Sequence, residues 1–194
     1  GFDESDNKNK VWYKKGNRNS FKLIWEGTES VEFLPVLVSE DNSSLFVISN
    51  AEGNYKALYK YDIEARQFVQ KVFEVQDTDL TSVIYNTNKD EILGVSYVQN
   101  GFVQHSYFNS LEKTFELNLT QSFNESNPYI VDYNLDKDML IIQTSDSTDP
   151  GVYHLYDVKK NELIKYATKA PWFKQFNLAN TQVINSISTD GQKI

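Results

Sequence analysis

Short apolar runs alternate with polar, turn-prone stretches along most of the chain, and no long segment repeats apolar residues at helical spacing. Residues 37–49 show the unit most plainly. Leu37-Val38 and Leu45-Phe46-Val47-Ile48 flank the polar centre Ser39-Glu40-Asp41-Asn42-Ser43-Ser44, which reads as strand, turn, strand. The layout recurs about 47 residues later, within the period range of repeat architectures. There Ile84-Tyr85 and Ile92-Leu93-Gly94-Val95 flank Asn86-Thr87-Asn88-Lys89-Asp90-Glu91. A further step reaches Val131-Asp132-Tyr133, Asn134-Leu135-Asp136-Lys137-Asp138 and Met139-Leu140-Ile141-Ile142, so that Leu45, Ile92 and Met139 fall in register.

The register continues downstream. Leu58-Tyr59-Lys60-Tyr61-Asp62 falls on His105-Ser106-Tyr107-Phe108-Asn109, and then on Tyr153-His154-Leu155-Tyr156-Asp157 with one residue inserted. In each copy an aromatic precedes Asp or Asn, a residue suited to opening a turn. The next strand aligns Phe68, Phe115 and Leu163, and a step backwards lands on Val11-Trp12-Tyr13 and Phe21. Each unit therefore reads as four strands joined by tight turns, the make-up of a β-propeller blade. The expected fold class is all-β, a partial β-propeller of about three to four antiparallel four-stranded blades, with the outer half of a blade at the start. A non-propeller stack of antiparallel sheets is the competing architecture. Complete propellers usually hold about 4–8 blades, so the chain is expected to be part of a larger one.

Composition agrees with sheet. Of 194 residues 40% are apolar, and Tyr and Phe occur twelve times each. The net charge of −8, with Lys and Asp/Glu read as scattered and forming no basic patch, argues against nucleic acid as a partner. No apolar stretch approaches the roughly 20 residues that span a bilayer, so no membrane partner is expected. The opening Gly1-Phe2-Asp3-Glu4 has no signal-peptide pattern. The absence of that pattern does not fix the compartment. The absence of cysteine removes disulfides, thiolate metal sites and a cysteine nucleophile. Asn42, Asn118 and Asn124 head glycosylation sequons, which chance explains in an Asn-rich chain.

The pattern changes after the last repeat. Pro171, within Lys169-Ala170-Pro171-Trp172-Phe173, breaks the strand. Phe173-Lys174-Gln175-Phe176-Asn177-Leu178-Ala179 suits a short helical turn, and Asp190-Gly191 between apolar-rich runs suits a hairpin. Here a resemblance becomes visible. Asp149-Pro150-Gly151-Val152-Tyr153-His154-Leu155-Tyr156-Asp157 resembles the last-blade motif of bacterial acylaminoacyl-peptidase-like members of the prolyl oligopeptidase family. Pro171-Trp172, Leu178-Ala179, Thr181 and Ile187-Ser188-Thr189-Asp190-Gly191-Gln192-Lys193-Ile194 resemble the segment by which the chain leaves the propeller in that family. The resemblance implies blades over residues 1–168 and an exit segment over 169–194, leading toward an α/β-hydrolase domain. It implies as partners that hydrolase domain of the same parent chain and the parent's peptide substrate. In that family the propeller covers the hydrolase domain, which supplies the Ser-Asp-His triad, and restricts access to short peptides. These 194 residues contain no Gly-x-Ser-x-Gly elbow, so no catalytic residue carries over.

Other residues invite a chemical reading. His105 and His154 occupy neighbouring slots on equivalent strands of different blades, and alternation points them to opposite faces. Asp136 and Asp138, and Asp77 and Asp79, lack the central Gly and terminal Glu of a calcium loop and read as turn residues. Trp12, Trp25, Trp172, Tyr59, Tyr61, Phe108 and Tyr156 recur in register and read as packing between blades rather than ligand stacking. Gly151 and Gly191 read as turn glycines. No catalytic, cofactor-binding or metal residue is assigned, and no cofactor is expected. The leading expectation is a non-catalytic propeller segment that gates a serine peptidase. The alternative is a stand-alone binding or scaffold module, and an enzyme acting from the propeller itself ranks last.

Overall fold

The computed structural model describes residues 2–3, 7–17, 19–86, 88, 90–99, 101–108, 122–123, 128–134, 138–182, 184 and 186–189. Among these, fourteen strands form four antiparallel sheets in chain order. The first sheet holds β1 (Phe2–Asp3), β2 (Lys8–Tyr13) and β3 (Lys22–Thr28). The second holds β4 (Phe33–Val38), β5 (Ser44–Ser49), β6 (Ala57–Asp62) and β7 (Gln67–Phe73). The third holds β8 (Leu80–Tyr85), β9 (Ile92–Gln99) and β10 (Phe102–Tyr107). The fourth holds β11 (Tyr129–Asn134), β12 (Met139–Thr144), β13 (Val152–Asp157) and β14 (Glu162–Thr168). Within each sheet consecutive strands are neighbours, which is the meander of a blade. The strand expected around Phe115 in the third sheet lies outside the described residues, as do Asn109, Asn118, Asn124, Asp136 and Gly191.

The chain divides into two compact units, Gly1–Val98 and Gln99–Ile194. In the first, the second sheet has a core on each of its faces. On one, Leu45, Val47 and Tyr61 pack with Phe33 and with Ile24 of β3. On the other, Ile48 and Leu58 pack with Leu80 of β8 and Val95 of β9. That is why β5 reads as a near-continuous apolar run rather than an alternating one: five of its six residues are buried, on both faces. Fully burying an aliphatic side chain such as Val47 or Leu58 contributes about 1.5–3 kcal/mol. Trp25 stacks on Phe33 at 4.7 Å, and Phe33 meets Tyr61 edge-on at 4.9 Å. The Tyr61 hydroxyl is sunk in this core and donates to the Ile24 carbonyl at 2.6 Å, linking the second sheet to the first. Tyr85 does the same one sheet later, donating to the Val36 carbonyl at 2.6 Å where β4 bulges between Pro35 and Leu37. In the second unit the Tyr107 hydroxyl accepts from the Ile130 amide at 3.2 Å.

Turn chemistry repeats with the strands. Asp62 accepts from the Glu64 and Ala65 amides, and Asp157 accepts from the Lys160 amide. Both turns close on a residue with positive φ, Arg66 at 56° and Asn161 at 52°. Tyr61 pairs with Phe68 and Tyr156 with Leu163, as the repeat register requires. Phe21 lies one residue before β3, with the Lys14 ammonium 5.5 Å over its ring. The third copy is offset from the sequence register. Leu45 pairs with Tyr61, and the residue opposite Tyr156 is Leu140, not Met139. The inserted residue therefore lies upstream of β12. The end of the chain also differs. The helical turn is a 3-10 helix at Pro171–Gln175, two residues earlier than expected. Among the described residues beyond it no strand forms, and only Ile187 makes an isolated bridge.

Candidate functional site

Antiparallel strands return their turns to a common end. The β2–β3, β4–β5 and β6–β7 turns of the first two sheets enclose a cleft of about 550 Å³. Its apolar part comes from Tyr13, Ile24 and Ile63. Its rim carries charges of both signs, and these differ in how far they are already engaged. Asp41 accepts from the Ser39 hydroxyl at 2.7 Å and from the amide and hydroxyl of Ser43 at 3.0 and 2.8 Å. These bonds, that from Ser39 foremost, hold its carboxyl down to about 2. Asp62 is committed to the amides of its own turn. In contrast, Lys15, Lys22 and Arg66 line the same cleft and make no ion pair among the described residues. Asn19, Ser20 and Asn42 add neutral polar groups, while the Ser43 amide and hydroxyl are given to Asp41. The described lining thus carries three cations and three carboxylates and no histidine.

This cleft was missed in the sequence, where basic residues read as scattered. The signal is present: Lys14-Lys15-Gly16-Asn17-Arg18-Asn19-Ser20-Phe21-Lys22 carries four of the chain's 19 basic residues and no acidic one. Arg18 lies outside the described residues.

The candidate catalytic residues do not converge. The His105 ring packs on Tyr129 at 5.0 Å, and the Tyr129 hydroxyl donates to Gln143 Oε1 at 3.0 Å. His154 lies 3.2 Å from the Thr144 hydroxyl and 4.9 Å from the Phe123 ring. Tyr129 pairs with Gln143 and His154 with Ile142, so the two rings meet opposite faces of the fourth sheet. Burial pushes both imidazoles below their usual range, and nearby Lys165 adds to this at His154. Asp157, three positions along from His154, is engaged by Lys160 at 3.0 Å. Of the paired aspartates within the described residues, Asp79 accepts from the Lys56 amide at 2.7 Å, Asp138 lies 2.6 Å from the Lys159 ammonium, and Asp77 sits at a positive-φ turn. Among the described residues no group of three His, Cys, Asp or Glu side chains is placed to hold a metal. The aromatics divide. Tyr59, Tyr61 and Trp25 pack in the first unit's interior, whereas Trp12, Trp172 and Phe108 are exposed, against the expectation that all pack between blades. Tyr156 donates from the surface to Asn161 at 2.7 Å.

No family model and no curated protein matches the chain. A solved structure from a structural and mechanistic study of two prolyl endopeptidases is similar to it, with a TM-score of 0.57 and 12% sequence identity. The likeness covers 95% of this chain and 26% of that one, so the chain spans about a quarter of that structure's length. At this identity the likeness speaks for the fold, and with the four meandering sheets it gives the conclusion: the chain is all-β, a partial β-propeller of antiparallel blades.

Proposed function

We propose that this chain is the non-catalytic propeller portion of a serine peptidase of the prolyl oligopeptidase type, and that it gates access to an α/β-hydrolase domain of the same polypeptide. The observation that carries the reading is the asymmetry of the structural likeness: nearly all of this chain, but only 26% of a prolyl endopeptidase structure. The last-blade motif Asp149-Pro150-Gly151-Val152-Tyr153 and the exit residues Pro171-Trp172 support it and point to the acylaminoacyl-peptidase-like branch. The scattered placement of His105, His154 and the aspartates fits a segment whose work is steric rather than chemical.

The test is the reading frame that encodes these residues, together with its product. It is expected to continue past Ile194 for a hydrolase-sized length and to encode a Gly-x-Ser-x-Gly. The full product then reacts with a fluorophosphonate probe and cleaves short peptides in preference to long ones, while the 194-residue chain alone does not react. A stop codon directly after Ile194, or labelling of the isolated chain, would overturn the proposal.

A further inference from the structure

We infer that a second cleft, at the opposite end of the second sheet, is a binding site for a small hydroxylated primary amine. The inference is independent of the peptidase reading and starts from one hydroxyl. Tyr61, Tyr85, Tyr107 and Tyr129 each engage their hydroxyl in a hydrogen bond within the chain. Tyr59 is only 2% exposed, yet its hydroxyl has no partner among the described residues. Burying a hydroxyl without a partner is costly, so such a group marks a place where something outside the chain can serve it. Tyr59 lines a cleft of about 410 Å³, enclosed by the β5–β6 turn and the β7–β8 connection. That is far more than the roughly 30 Å³ of one water, and within the size range of small-molecule sites. Burial foremost pushes the Tyr59 phenol above its ordinary value; Lys71 acts against this, and Glu52 and Glu74 act with it. The hydroxyl therefore faces that charged cluster, of which Lys71 and Glu74 line the cleft themselves.

The charges around that hydroxyl select the ligand. Lys56 is held by Glu32 at 3.3 Å and by Asp79 at 3.5 Å, and Lys71 by Glu74 at 2.7 Å. Pairing keeps a carboxylate ionised, so each counts in full. Asp77, also in the lining, and Glu52 make no ion pair or hydrogen bond among the described residues. Two ammonium groups therefore stand among five carboxylates, and the excess is negative. A concave site with such an excess concentrates cations and repels anions. The carboxylates are too dispersed for a metal: among the described residues no three His, Cys, Asp or Glu side chains are placed to hold one. An organic ammonium suits them better, since its N–H groups reach separate acceptors, Asp77 first. An ammonium accepts nothing, however, and the Tyr59 O–H needs an acceptor. A ligand carboxylate would supply one but add charge of the repelled sign. A ligand hydroxyl accepts from Tyr59 without that charge, and Tyr55 and Val75 offer an apolar wall for the carbons between the two groups.

The test is an NMR titration of the 194-residue chain, ring-labelled at tyrosine, at low ionic strength. Four probes of equal carbon number separate the contributions: ethanolamine, ethylamine, ethylene glycol and glycolate. Ethanolamine is expected to bind one site, on the order of millimolar for so small a ligand, and to move the Tyr59 resonance. Ethylamine, which lacks the hydroxyl, and ethylene glycol, which lacks the charge, should bind about tenfold more weakly, and glycolate weaker still. Tyr59→Phe should weaken ethanolamine about tenfold and leave ethylamine unchanged, because only the former uses the phenol. Asp77→Asn, which keeps a residue tolerant of the positive φ of 60° there, should weaken both amines severalfold. The stability readout is separate. With no partner in the chain to lose, Tyr59→Phe should leave the thermal midpoint unchanged or raise it. Absence of saturable ethanolamine binding, ethylene glycol or glycolate binding as tightly, or unchanged ethanolamine affinity in Tyr59→Phe or Asp77→Asn would overturn the inference. So would a lowered thermal midpoint in Tyr59→Phe, since it would reveal a partner for the hydroxyl inside the chain.

Discussion

Tyr61 shows how a side chain read as apolar packing also carries a polar obligation. Its ring is wedged against Phe33 and Phe68, and its hydroxyl is the partner of the Ile24 carbonyl. Tyr61→Phe keeps the ring and strands that carbonyl, and should cost about 1–2 kcal/mol in urea-monitored stability. An unchanged midpoint would remove the hydroxyl from the account. The ring was legible from the repeat, because an aromatic recurs before each turn. The hydroxyl's partner was not, because it sits in the preceding sheet and strand spacing says nothing about that distance. Asp41 is a second residue whose role is local. Its depressed carboxyl means that the 39–44 turn is fully stabilised above the ordinary carboxylate range and loses this support as pH falls toward about 2. A carboxyl-resolved NMR titration should find that midpoint, and Ser39→Ala should raise it. The sign for His105 follows the same rule with the opposite charge. Burial disfavours its imidazolium, so stability is complete above the ordinary value near 6.5 and falls as pH drops below it toward the lowered folded value. His105→Phe, which keeps a ring against Tyr129, should flatten stability between pH 7 and 5.

At the scale of elements, the hairpins carry most of what the sequence could and could not tell. The turns after Asp62 and Asp157 were legible because their chemistry is local: an Asx residue caps amides two or three positions on. The register of β12 was not. Met139 and Leu140 are both apolar and adjacent, so the pattern accepts either, and only the partner across the ladder separates them. Once Leu140 is set opposite Tyr156, Thr144 takes the place of Ser49, and both are buried hydroxyl residues at the ends of equivalent strands. Gly151 belongs to the same stretch. Its φ of 138° is a conformation side chains rarely adopt, and an added Cβ would stand 3.1 Å from the Thr144 carbonyl oxygen and 3.3 Å from Gln143 Nε2. Gly151→Ala should therefore destabilise the protein by about 1–3 kcal/mol. A change within a few tenths would mean that the β12–β13 connection relaxes freely. The basic run of residues 14–22 was visible in the sequence, but the cleft that Lys15 and Lys22 line was not. The cleft exists only because turns remote in sequence meet at one end of two sheets.

For the molecule as a whole, the repeat of about 47 residues is the property that organises everything else. It sets four successive antiparallel sheets, and in the first unit it gives the second sheet two buried faces, each packed on a neighbouring sheet. A catalytic site is a different kind of information. It depends on residues that converge, and here the candidates are held apart by the strands that carry them. The central claim is thus the blade register itself, and cross-strand Hα–Hα and amide NOEs on labelled protein test it most directly. The account predicts contacts linking Leu45 with Tyr61, Leu140 with Tyr156, Tyr61 with Phe68 and Tyr156 with Leu163. Contacts placing Met139 opposite Tyr156, or helical amide connectivities through residues 129–168, would contradict it.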